Sequence, residues 1–144
     1  MQRFQYRFES LLKWRESQLE SEKAALRVLF SERADIQRSI DILQRSGDQA
    51  FREVVRRPEI SGLELGGLSS HRTYVAARIT EAGRRMRDCE TRIGRQRERV
   101  IQAERAWRLL DRLRERDLEE WTYEMNREQE ATAAELYLAA RKRK

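Results

Sequence analysis

The sequence predicts an all-α fold, a long antiparallel two-helix coiled-coil hairpin, on three observations. Charged residues make up 39% of the 144-residue chain, against roughly 25% in an ordinary globular domain. That many charges cannot surround a thick core but can line a thin seam between helices. There is a single proline in the chain, and proline breaks helices. Apolar residues recur at heptad spacing along both halves, separated by one cluster of glycine and proline.

The first helix is expected over about residues 4–57. One register places Leu12, Leu19, Leu26, Arg33, Ile40, Gly47 and Val54 at successive a positions, with Phe8, Arg15, Glu22, Leu29, Ile36, Leu43 and Ala50 at d. Ten of these fourteen are apolar, as a helix burying one narrow stripe requires. Pro58, Gly62, Gly66 and Gly67 then fall within ten residues, a density that predicts a loop over about 58–68. Ser69 or Ser70 is the expected N-cap of a second helix running over about 69–140. Its stripe repeats Ile79, Met86, Ile93, Val100 and Trp107, with Val75, Ala82, Cys89, Ala103 and Leu110 as companions, and drifts to Leu113, Leu118, Trp121 and Met125.

Folded back at that loop, opposing residues should have numbers adding to about 126. Phe4 and Tyr6 would then lie near Trp121 and Tyr123, Leu11 and Trp14 near Leu110 and Asp111, Phe8 against Leu118, and Leu19 against Trp107. An arm of about 50 residues spans on the order of 75 Å. The second is longer by roughly 15–20 residues, so its end should project as a single helix of about 25 Å. The aromatic residues gathered at the open end either clamp the termini or form a docking surface, since aromatic residues are enriched at interfaces.

Chemistry is sparse. Gly62 to Ser69 has the spacing of a phosphate-binding loop, but Leu68 stands where the lysine must be and no strand precedes it, so the string reads as a turn. One histidine and one cysteine cannot complete a four-ligand zinc set, and the adjoining Ser69, Ser70 and His71 would point in different directions from a helix start. No cofactor and no enzymatic activity are expected. The lone Cys89 suits a reducing compartment, and no apolar run approaches the roughly 18 residues needed to insert into a membrane.

Charge is segregated. Arg84 to Arg116 holds twelve arginines against six acids, and Asp117 to Glu135 holds seven acids against Arg127 alone. A net charge of +6 makes a basic nucleic-acid-binding coiled coil an alternative reading. Against it, the arginines interleave with acids at helical spacing, which builds intrahelical pairs, and no nucleic-acid-binding motif is visible.

The string FQYRFESLLKWRESQLESEKAAL, with Phe4, Phe8, Leu11, Leu12 and Arg15, resembles the opening of the flagellar FliJ family, and AWRLLDRLRERDLEEW, followed by Glu135 and a basic tail, resembles its closing section. The resemblance implies a cytoplasmic component, peripherally associated with the membrane-bound type III export apparatus, similar to the central stalk of rotary ATPases. Its partners would be the hexameric export ATPase, the cytoplasmic domain of the export gate and export chaperones. Carried onto this chain, the ring-binding residues are Phe4, Tyr6, Phe8, Trp14, Trp107 and Trp121, together with the projecting helix. The gate-binding residues are Leu43, Phe51, Tyr74, Val75, Ile79 and Met86. Some relatives carry aromatic residues in the first gate stretch, where this chain has Ser46 and Ala50. The injectisome equivalents are built alike and are an alternative to the flagellar system.

Overall fold

A computed structural model describes residues 2–143. The fold is all-α, with α1 over Glu9–Val55 and α2 over Gly62–Lys142. Its contacts divide it into two compact units, Glu22–Arg99 and Met1–Ser21 with Val100–Lys144.

In the unit Glu22–Arg99 the two helices pack antiparallel around the turn that joins them. Ile36, Ala82, Cys89 and Ile93 are buried, and Leu26, Leu29, Phe30, Ile40 and Met86 pack against them. These are the expected heptad positions, joined by Phe30. The seam also admits one polar layer. Gln96, at the heptad position between Cys89 and Ala103, is 8% exposed; its amide donates to the Glu22 carbonyl oxygen at 3.0 Å and also to the Glu22 carboxylate. Arg92 pairs with Glu32 across the helices at 2.5 Å.

The reversal is shorter and earlier than expected. Between the two helices only residues 56–61 are non-helical, so Gly62, Gly66 and Gly67 lie inside α2 and not in a loop over 58–68. Ser61, and not Ser69 or Ser70, is the N-cap: its Oγ accepts the Glu64 backbone N–H at 3.1 Å. Ser61-Gly-Leu-Glu64 has the spacing of a capping box, and the Glu64 carboxylate accepts from Arg57 across the turn at 2.9 Å. A glycine in a helix costs about 1 kcal/mol relative to alanine, a penalty that one cap and the stripe resuming at half-buried Leu68 and His71 and buried Val75 can offset. All described glycines keep negative φ.

An earlier turn shifts the pairing. Leu29, expected opposite Arg97, instead accepts the Cys89 thiol on its carbonyl oxygen at 3.4 Å. Gly47 faces Val75, whose Cγ1 lies 3.5 Å from where a Cβ would sit. These two partners lie eight and four residues nearer the turn than the expected register, about two helical turns and one.

In the unit Met1–Ser21 with Val100–Lys144, Tyr6, Leu12 and Leu110 form the buried cluster, with Phe4, Trp107 and Leu113 packed against it. The start of α1 at Glu9 corrects the expected boundary near residue 4. Residues 2–6 are non-helical and 7–8 form a turn. On a helix, Phe4 and Tyr6 would point about 200° apart, whereas an extended backbone sends alternate residues to one side. A non-helical segment therefore lets both rings reach α2. No helix among the described residues is long and apolar enough to cross a membrane.

Two substitutions test the turn in thermal unfolding. Ser61→Ala should destabilise by about 1 kcal/mol through loss of the cap. Gly66→Ala, where an added Cβ meets nothing within 4 Å, should stabilise by about 0.5–1 kcal/mol.

Candidate protein-docking surfaces

The residues expected to bind a ring separate into two groups. Tyr6 is 7% exposed, and its hydroxyl donates to the Leu110 carbonyl oxygen at 3.0 Å. Phe4 lies beside Trp121 with ring centroids 5.8 Å apart at 57°. Trp107 completes the cluster around Leu12 and Leu110. The segment 2–8 thus lies as a strap on α2, with Arg114 donating to Glu9 at 3.3 Å where α1 begins. Open hollows flank it, one of about 480 Å³ against Arg3, Phe4 and Arg114, the other of about 380 Å³ against Gln2, Trp121 and Met125.

Phe8 and Trp14 face outward. Phe8 does not enter the seam against Leu118; it is 40% exposed and meets Tyr6 edge-on at 5.9 Å. Trp14, off the stripe that carries Leu12, is half exposed under the Arg15 guanidinium at 4.8 Å. Tyr123 is likewise exposed, with Arg127 over its ring at 5.9 Å. Past Met125, every described residue is exposed.

The gate-directed residues divide the same way. Val75 is buried, Met86 packs against the buried cluster, and Leu43 and Ile79 are half-buried on the seam. Only Phe51 and Tyr74 are exposed, covered in part by Arg72 at 5.3 Å and Arg78 at 6.0 Å. The aliphatic four are committed to helix packing, and of the six only the aromatic pair is open to solvent.

Electrostatics add no reactive centre. Burial pushes the Cys89 thiol up, and the nearby Glu32 carboxylate pushes the same way, so the nucleophilic thiolate is disfavoured. Burial likewise raises the Tyr6 phenol above its ordinary 10.0, with Asp117 and Glu9 adding to the effect. Among the described residues no group of His, Cys, Asp and Glu could hold a metal ion. Several arginines of the basic stretch are engaged by acids on their own helix, as in Arg84 with Glu81 and Asp88, and Arg108 with Glu104.

No family model, no curated protein and no solved structure matches the chain.

The strap is testable through Tyr6. Tyr6→Phe removes one hydrogen bond and should cost about 0.5–1.5 kcal/mol. Because the folded phenol titrates above its unfolded value, its contribution is complete below pH 10.0 and is lost as pH rises through the folded pKa. Tryptophan fluorescence of the native chain should therefore report loosening of the strap at alkaline pH, with a smaller change in Tyr6→Phe.

Proposed function

We propose that this chain acts by binding other proteins, as a stalk-like coiled coil of a type III protein export apparatus, flagellar by preference over the injectisome equivalent. In this reading it binds the hexameric export ATPase and stimulates it without hydrolysing ATP itself, and it links the ring to the cytoplasmic domain of the export gate. It works in the cytoplasm, peripherally associated with the membrane-bound apparatus, and an escort role toward export chaperones belongs to the same reading. The observation that carries it is a clasp of Phe4, Tyr6, Trp107 and Trp121 on the same unit as a helical segment, residues 126–142, that is exposed throughout. A helix with no packing partner and an aromatic patch beside it suits a docking element. The FliJ-like strings at both ends of the sequence give that element its identity in this reading.

A stiff hairpin can stimulate a ring by engaging its subunits unequally, so that contacts favouring one subunit state bias its neighbours. The exposed face of the clasp and the helix beyond it are the ring contact, and Phe51 with Tyr74 is the gate contact. Pairing of arginines with acids on their own helix supports a protein partner over a polyanion, because paired arginines are less available to phosphates.

Removing residues 126–144 should abolish ring binding and ATPase stimulation while leaving the circular dichroism per residue almost unchanged. Full stimulation by the truncated chain would overturn the assignment. Phe51→Ala should weaken gate binding, and truncating a large exposed aromatic anchor commonly costs about 1–2 kcal/mol, readable by calorimetry against the isolated gate domain.

A further inference from the structure

We propose that one side of the helix pair in the unit Met1–Ser21 with Val100–Lys144 is a groove for a third helix, an amphipathic helix of a partner protein whose apolar stripe is flanked by acidic side chains. The groove uses none of the clasp residues and nothing beyond Arg116, so it stands apart from the export reading.

Leu12 and Leu110 are buried in one cluster and mark the direction in which each helix faces the other. Leu11 and Leu109 each precede them by one residue, a rotation of about 100°. In an antiparallel pair, residues turned by the same angle from partners that meet lie on the same side. Glu32 and Arg92 show this, since they pair three residues beyond the contact of Leu29 with Cys89. Leu11 and Leu109 therefore share a side. By the same phasing Trp14 and Gln18 join Leu11, and Gln102, Ala106 and Leu113 join Leu109. Ala106 and Leu113 are half-buried and form the floor, while Leu11 at 41%, Trp14 at 50% and Leu109 at 63% stay open to solvent. The strap leaves this side free, because the hollow beside it is lined by Tyr6, Glu9 and Arg114, which lean the other way.

Charge names the occupant. Along the groove, Arg15 of α1 and Arg105, Arg112 and Arg116 of α2 fall on its side or its outer edge, and no acid does. The acids of the same stretches, Glu9, Glu16 and Glu20 with Glu104, Asp111 and Glu115, all fall on the opposite side. The Arg15 guanidinium is held over Trp14 at 4.8 Å, and Arg105 and Arg112 have no ion pair among the described residues. An apolar trough with cations along one edge fits a third helix that presents apolar residues at i, i+3 or i+4, and i+7 and carries Glu or Asp on the flank facing α2. A polyanion would use the arginines and leave Leu11, Trp14 and Leu109 in water. A flat bilayer would not reach the floor between the helices.

From Gln102 to Arg116 the groove is roughly 21 Å long, room for a helix of about four turns. Such a contact falls at the low end of interface sizes. Binding is thus weak and sensitive to salt.

The probe is a labelled peptide of about 18 residues with Leu at heptad positions a and d and Glu at e and g, beside the same peptide with Lys in place of Glu. Fluorescence anisotropy against the full chain, from about 1 to several hundred micromolar, covers the affinities of weak interfaces. The Glu peptide should bind and lose affinity as salt rises, and the Lys peptide should bind roughly tenfold more weakly or less. Leu109→Glu should abolish binding. Arg105→Glu combined with Arg112→Glu should weaken the Glu peptide roughly tenfold and turn the preference toward the Lys peptide. Glu16→Gln, on the opposite side, should stay within about twofold of the native chain. All these positions are exposed, so circular dichroism should remain native in every variant. No binding over this range overturns the proposal, as do equal binding of the two peptides and indifference to the substitutions. Capture of phosphatidylglycerol vesicles that is lost in Leu109→Glu, with neither peptide bound, makes the side a lipid surface and overturns it as well. Neither peptide carries export-apparatus sequence, so failure of the groove and failure of the export reading are told apart.

Discussion

A seam between two helices is only one residue wide on each side, and that constraint governs the structure. Each turn offers a single buried position per helix, so a polar side chain placed there must find its partner within the same layer. Gln96 does so on Glu22, using both the backbone carbonyl and the carboxylate. Sliding α2 by one turn would leave the buried Gln96 amide without its partners, at about 1–3 kcal/mol. The aliphatic layers built from Ile36, Ala82 and Ile93 discriminate less sharply, since Leu, Ile and Ala interchange at modest cost when volume is conserved. Within this unit the apolar residues supply the driving force, and the Glu22–Gln96 layer fixes which residues meet. Polar groups at seam positions of coiled coils commonly act this way.

The other unit meets the same constraint differently. Past Trp107 the α2 stripe runs through Leu110, Leu113 and Trp121, too large for the short α1 stretch around Leu12 to cover alone. The segment 2–8 supplies the missing cover. Its aromatic residues alternate, Phe4-Gln5-Tyr6-Arg7-Phe8, the period of an extended chain. Tyr6 is the only one of the three that is fully buried, and it is also the one whose polar end has a fixed acceptor, the Leu110 carbonyl.

The heptad stripes were legible in the sequence almost residue by residue, because a period near 3.5 sustained over many turns has few competing explanations. The turn was not. Glycine density suggested a loop centred near Leu63, but glycine only weakens a helix, while proline and a cap decide where one can begin. The decisive signs were Pro58, which closes off α1, and the Ser61–Glu64 spacing, which opens α2; both are present in the sequence. Misplacing that boundary by a few residues moves the pairing by twice as many, which explains why Leu29 was expected opposite Arg97 and meets Cys89 instead. The strap was missed because a helical period was extended back to Phe4 across residues that alternate by two. Of the candidate surface, sequence could name the aromatics but not sort the buried from the exposed. Trp14 and Trp107 look alike as letters and differ by their step from the stripe.

Beyond Met125 nothing of the unit covers α2, and every described residue there is exposed. The cover runs out because α1 starts only at Glu9 and the aromatic contact of the strap with α2 lies at Trp121. The sequence of the segment matches its setting. Of residues 126–142 only Leu136, Tyr137 and Leu138 are large and apolar, three consecutive positions that point about 100° apart and build no continuous stripe. The packed seam therefore ends with Met125, and the helix beyond it draws its stability from propensity and local side-chain pairs rather than from burial.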